Sequence, residues 1–156
     1  MKYRMLHSEE LEHLEEDLKA FLIVNGVQGD EWKLINEQTP EKAVELVALF
    51  SDNVLQKVYE RISFLEFRSP DSCMVFQLEQ TTQKLIVIQR KTDSTIDLSS
   101  VDSIHVALTQ HFNQLEFFRS EKAYSTEREI EIHQLIEQGC VISTPEFFQS
   151  LEQILN

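Results

Sequence analysis

The chain has 156 residues, 42% of them hydrophobic, and 27 acidic against 14 basic side chains give it a net charge of −13. That length and apolar content suit a single domain, residues 1–156, able to bury a core that covers a sheet and its helices. An acidic envelope repels phosphate backbones and polyanionic membrane surfaces, which disfavours nucleic acid, and no run approaches the roughly 18 apolar residues of a membrane span.

The charge is unevenly placed: residues 1–60 hold 13 acids and 6 bases (−7), residues 61–91 hold 3 and 5 (+2), and residues 92–156 hold 11 and 3 (−8). The two cysteines, Cys73 and Cys140, lie far apart in apolar surroundings. They fit neither a zinc spacing nor a redox pair, and read as small buried hydrophobes of a reducing compartment, the cytoplasm.

Ser8 is placed as an N-cap before Glu9 and Glu10, and Leu11, Leu14, Leu18, Phe21 and Leu22 recur at helical spacing, which predicts a helix over 9–24 ended by Asn25-Gly26. Asp30 can cap a short helix carrying Trp32, Leu34 and Ile35. Thr39-Pro40-Glu41 then opens a longer one with proline in its first turn. Its expected buried stripe is Ala43, Val47, Phe50, Val54 and Val58, widened by Leu46 and Leu55; Ser51-Asp52-Asn53 in its middle is expected to bend or break it. Gly26-x-x-Gly29 lacks the preceding strand and the Lys-Ser/Thr of a phosphate loop, and reads as a turn.

Residues 61–91 hold the densest apolar runs, Ile62 to Phe67, Cys73 to Phe76 and Leu85 to Ile88, separated by Ser69-Pro70-Asp71-Ser72 and Gln80-Thr-Thr-Gln83. They predict three antiparallel strands, the third apolar on both faces and therefore internal. A fourth strand is placed at 95–98, around Ile96 and Leu98.

Ser99 with Asp102 forms a capping-box pattern for a helix presenting Val101, Ile104, Leu108 and Phe112, and residues 115–119 either extend that helix or add an edge strand. Thr126 with Glu129 is a second such pattern, opening a helix that Gly139 ends. Thr144-Pro145 starts a last helix burying Phe147, Phe148, Leu151, Ile154 and Leu155. The fold class that follows is α+β, a meander of three strands, or four with 95–98, covered by about five helices.

The opening Met1-Lys-Tyr-Arg4, the segment Phe21-Leu-Ile-Val-Asn-Gly-Val-Gln-Gly-Asp-Glu-Trp32 and Leu65-Glu-Phe-Arg-Ser-Pro70 resemble a family of uncharacterised bacterial proteins of about this length. The resemblance spans nearly the whole chain and brings no activity and no catalytic motif. It implies a complete natural domain.

Candidate chemistry is sparse. Glu10-x-x-His13 faces away from the apolar stripe of its helix, and Glu129, His133 and Glu137 lie in a line on one helix, which is no coordination polyhedron; no metal or cofactor is expected. The helix-turn-helix pattern over 128–151 shows Glu146, Gln149, Ser150, Glu152 and Gln153 on its second helix and no base that could meet phosphate.

Two functional readings remain. The first is a non-enzymatic binding or regulatory domain that meets a basic protein through an acidic face. The alternative is a divalent-metal nuclease using Asp71, Gln89 and Lys91, similar to the Pro-Asp, Glu-x-Lys pattern of a large nuclease superfamily. It requires Asp71 to lie opposite Gln89, with Arg68 or Arg90 meeting a phosphate. Gln89 stands where that pattern has a carboxylate, so Glu45 or Glu60 would have to supply the missing charge.

Overall fold

In the computed structural model, which describes residues 1–156, chain contacts group into two compact units, Met1–Glu60 and Arg61–Asn156. The first is helical: α1 (Ser8–His13), α2 (Glu15–Val24), α3 (Gly29–Gln38) and α4 (Pro40–Glu60). The helix expected over 9–24 is divided at Leu14, whose φ of −107° and ψ of 20° leave the helical region. Its cap is His7 rather than Ser8, because the Glu10 carboxylate reaches back to accept the His7 N–H at 2.8 Å.

α2 ends as its sequence requires. Gly26 takes a φ of 80°, its N–H donates to Ile23 O at 3.0 Å, and the Val27 N–H donates to Leu22 O at 2.8 Å. This is the paired bonding of a left-handed glycine stop, and Leu22 and Val27 on either side of it are both buried.

α4 stays continuous through Ser51-Asp52-Asn53, contrary to the expected break. Ser51 Oγ donates to Val47 O at 2.7 Å and accepts the Leu6 N–H at 3.0 Å, while the Asp52 carboxylate accepts the Lys2 and Tyr3 N–H groups at 2.6 and 2.9 Å. The polar triplet therefore fastens the N-terminal segment to the helix instead of competing with it. The buried line runs through Ala43, the half-buried Val47, Ser51, Leu55 and Tyr59 at four-residue steps, with Phe50 beside it, so Val58 is exposed where burial was expected.

The second unit is an antiparallel sheet in the order β4-β3-β2-β1-β5, formed by β1 (Phe64–Arg68), β2 (Ser72–Leu78), β3 (Thr82–Arg90), β4 (Leu115–Ala123) and β5 (Val141–Ile142). The helices α5 (Val101–Gln110), α6 (Arg128–Glu137) and α7 (Pro145–Leu155) complete it. One face brings Cys73, Val75, Ile86, Ile88 and Leu115 together with Ile104 and Ala107 of α5 and Phe148 and Leu151 of α7 into one core. Phe64 and Leu108 pack on its margin. Met74, Phe76 and Leu85 on the opposite face line a cavity with Gln134 and Leu135 of α6.

The α+β class holds, with five strands where three or four were expected. Residues 95–98 are not a strand: the Leu98 N–H donates to Pro70 O at 2.9 Å and the Ile96 carbonyl accepts from Arg90 at 3.0 Å, while β4 occupies the border of β3. Residues 115–119 belong to β4, and α5 stops at Gln110 before a short 3₁₀ turn, Phe112–Gln114. The cap of α5 is Ser100 with Ser103, not Ser99 with Asp102. α6 is preceded by Glu127, and Thr126 makes no cap there. Thr144 caps α7 by accepting the Phe147 N–H at 3.3 Å. Val101 and Ile154, expected inside, are exposed.

No helix is long and apolar enough to cross a membrane.

Candidate functional site

Beside the base of the β2–β3 hairpin, β1 passes into β2 through a two-residue turn, Pro70-Asp71, closed by the Ser69 N–H donating to Ser72 O at 2.8 Å. At the hairpin's other end the loop Gln80-Thr81 joins Glu79 and Thr82, paired through the Glu79 N–H to Thr82 O at 3.0 Å. This short loop sets the register of the whole hairpin, so Ser72, not Asp71, stands opposite Gln89.

Asp71 instead accepts the Arg90 N–H on its carbonyl at 3.0 Å. Its carboxylate is exposed and takes the Ser69 hydroxyl at 2.8 Å; that bond, with the charge of Arg90 a weaker cause, holds it below the ordinary aspartate range. Side-chain alternation sends Asp71 and Gln89 to opposite faces. Lys91 follows the end of β3, its N–H held by Gln114 O at 2.9 Å, and no hydrogen bond or ion pair joins it or Gln89 to Asp71. Arg90 turns its guanidinium to Ile96 O, and Arg68 turns to Glu66. No group of three or more His, Cys, Asp or Glu side chains is placed to hold a metal ion.

Buried charge lies elsewhere, at positions the sequence pattern did not single out. Arg128, at the start of α6, is 8% exposed and donates to the carbonyls of Ile62, Leu78 (3.0 Å) and Glu79 (3.1 Å), where the Tyr124 hydroxyl also donates at 2.6 Å. The fork of the guanidinium thus ties α6 to the segment entering β1 and to the end of β2. Glu131, one turn on, accepts the Ser125 N–H and hydroxyl at 3.1 and 3.2 Å.

On the core-facing side of β1, Glu66 is 5% exposed, pairs with Arg68 at 2.5 Å and accepts the Ser143 hydroxyl at 2.8 Å. Cys73 stands opposite Arg68, and burial, reinforced by the Glu66 charge, pushes its thiol up to about 12. Burial likewise raises the Cys140 thiol. Both thiols are therefore protonated near neutrality and poor nucleophiles.

The outward charge is concentrated on α1 and α2. From Ser8 to Val24 there are six acids, Glu9, Glu10, Glu12, Glu15, Glu16 and Asp17, against one base, Lys19. All of the six but Glu10 are exposed. Glu10 is committed to Arg4, whose two guanidinium nitrogens reach its two oxygens at 2.9 and 3.1 Å; with the His7 N–H, this lowers its pKa to about 2. Lys19 sits at 3.5 and 3.3 Å from Glu15 and Glu16, and these carboxylates raise its pKa. Glu9, Glu12 and Asp17 have no cation beside them.

A family model described as a family of unknown function (DUF6495) matches residues 1–156, and the chain belongs to that family. No curated protein and no solved structure matches it.

Proposed function

We propose that this DUF6495 member is a non-enzymatic binding or regulatory protein that meets a basic protein through the exposed carboxylates of α1 and α2. The observation that carries the reading is the run of Glu9, Glu12, Glu15, Glu16 and Asp17, five exposed acids with Lys19 as the one neighbouring base in Ser8–Val24. Such a surface raises the encounter rate with a cationic partner by long-range attraction and rejects anionic ones. The protonated buried thiols and the Asp71 carboxylate already engaged by Ser69 fit a protein without an activated nucleophile. Two free buried cysteines suit the reducing cytoplasm.

The test is capture from the native lysate by the immobilised chain at low and at high salt. A basic protein retained at low salt and released at high salt is the expected result, since rim charges act through screened attraction. A variant with Glu9, Glu12 and Glu16 changed to Gln and Asp17 to Asn should lose that protein. Recovery of no basic protein at low salt, or undiminished capture by the variant, overturns the reading.

A further inference from the structure

The two borders of the sheet differ sharply. One is β5, two residues long; the other is β4, nine residues long, with residues 118–123 all exposed and Phe118 51% exposed. The Lys91 N–H to Gln114 O bond fixes the phase of the β3–β4 ladder. Antiparallel alternation then turns the backbone groups of Glu116, Phe118, Ser120 and Lys122 toward β3 and those of Phe117, Arg119, Glu121 and Ala123 outward. A long border with free donors and acceptors is a template for another strand.

We propose that β4 pairs antiparallel with β4 of a second copy of this chain, about a two-fold axis at Ser120, so that two sheets become one. In this register Arg119 of each copy lies opposite Glu121 of the other, forming two equivalent cross-strand ion pairs, and the aliphatic stem of Lys122 covers the exposed ring of Phe118. The outward groups of Arg119 and Glu121, and of Phe117 and Ala123, then form the hydrogen-bonded pairs.

The alternative register, centred on Arg119, sets Glu116 opposite Lys122 but places Arg119 opposite itself at the axis, a like-charge contact, and leaves Glu121 opposite Phe117 without a cation. The border is also electrically suited to self-association. β4 holds Glu116, Glu121, Arg119 and Lys122, a net charge of zero in a chain of −13, so two copies repel least where these strands meet.

Sedimentation equilibrium of the full chain over a concentration series reads the association directly, and a reversible dimer is expected. Glu121→Arg should weaken dimerisation by at least about tenfold by opposing like charges twice. The double exchange Arg119→Glu/Glu121→Arg restores opposite signs across the axis and should recover it. Arg119 also donates to Asn156 at 3.1 Å and lies 3.8 Å from Glu152, so circular dichroism is used to confirm that each variant is folded.

Ser120→Cys should cross-link two copies under mild oxidation, because residues at a non-hydrogen-bonded antiparallel position have Cα atoms about 4.5 Å apart, within disulfide reach. The native thiols are buried and do not compete. A chain that stays monomeric throughout, a dimer indifferent to Glu121→Arg, a folded double exchange that fails to recover association, or no cross-link at Ser120→Cys overturns the proposal.

Discussion

Arg128 carries the largest consequence of any single side chain. Its guanidinium donates to three main-chain carbonyls from two different segments inside the second unit, and removing it takes this donor from the Ile62 and Leu78 carbonyls and leaves Glu79 O to the Tyr124 hydroxyl alone. Arg128→Met, which keeps most of the aliphatic length, should cost about 3 kcal/mol or more of stability, read from the denaturant midpoint. Arg128→Lys should not restore it, because an ammonium cannot present the same fork. A midpoint unchanged by Arg128→Met would mean that the carbonyls have other donors.

Glu10 is the residue whose titration reports local geometry. Its folded pKa of about 2 lies below its ordinary value of 4.5, so its contribution to stability is fully present above 4.5 and fades as pH falls toward 2. Arg4→Met should move the Glu10 pKa upward, though not fully to 4.5, since the His7 N–H bond remains. Side-chain carboxyl shifts followed by NMR across that range check it; a Glu10 that titrates near 4.5 in the unaltered chain contradicts the assigned bidentate pair.

At this scale the sequence was only partly readable. Ser99, Ser100, Thr126 and Ser8 are all chemically able to cap, and which one does so depends on where the chain enters the helix, a matter of tertiary placement. Arg128 left no local signal because its partners are carbonyls far away in sequence.

Among the elements, α4 shows best how polar residues inside a helix acquire a purpose. Ser51→Ala removes the acceptor of the buried Leu6 N–H and Asp52→Ala those of Lys2 and Tyr3, while alanine itself favours the helix. Hydrogen exchange at the Tyr3 and Leu6 amides should therefore accelerate in the double variant with helix content unchanged or higher. Protection at those amides equal to that of the unaltered chain would show the fastening to be dispensable.

The strong periodic stretches were legible: α2 with its glycine stop, the start of α4, and β1 to β3 follow directly from spacing and turn residues. Weak segments were not. Ile96 and Leu98 alternate as in a strand, yet β4 holds the border of β3 that they would need, and Leu98 is buried through irregular backbone. β5, with two residues, carries no periodicity. The hairpin was foreseen, but its register was off by one at the turn. That slip alone separates Asp71 from Gln89, because side chains alternate faces.

For the whole molecule the governing quantity is charge and its distribution. The first 60 residues hold 13 acids against 6 bases and the remaining 96 hold 14 against 8, so the two units carry −7 and −6. Net charge of one sign throughout promotes solubility and repels copies, whereas the dense acidic run on α1 and α2 would give direction to the attraction of the proposed cationic partner. The two effects separate experimentally when equal charge is removed from different places.

The most direct measurement is the dissociation constant of the captured basic protein for two variants of equal net charge. In one, Glu9, Glu12, Glu16 and Asp17 are neutralised; in the other, the exposed Glu127, Glu137, Glu146 and Asp102 are. Docking through α1 and α2 requires the first to bind at least about tenfold more weakly than the unaltered chain and the second to change by no more than a few-fold. Equal weakening in both would contradict it, reducing the binding to a response to total charge.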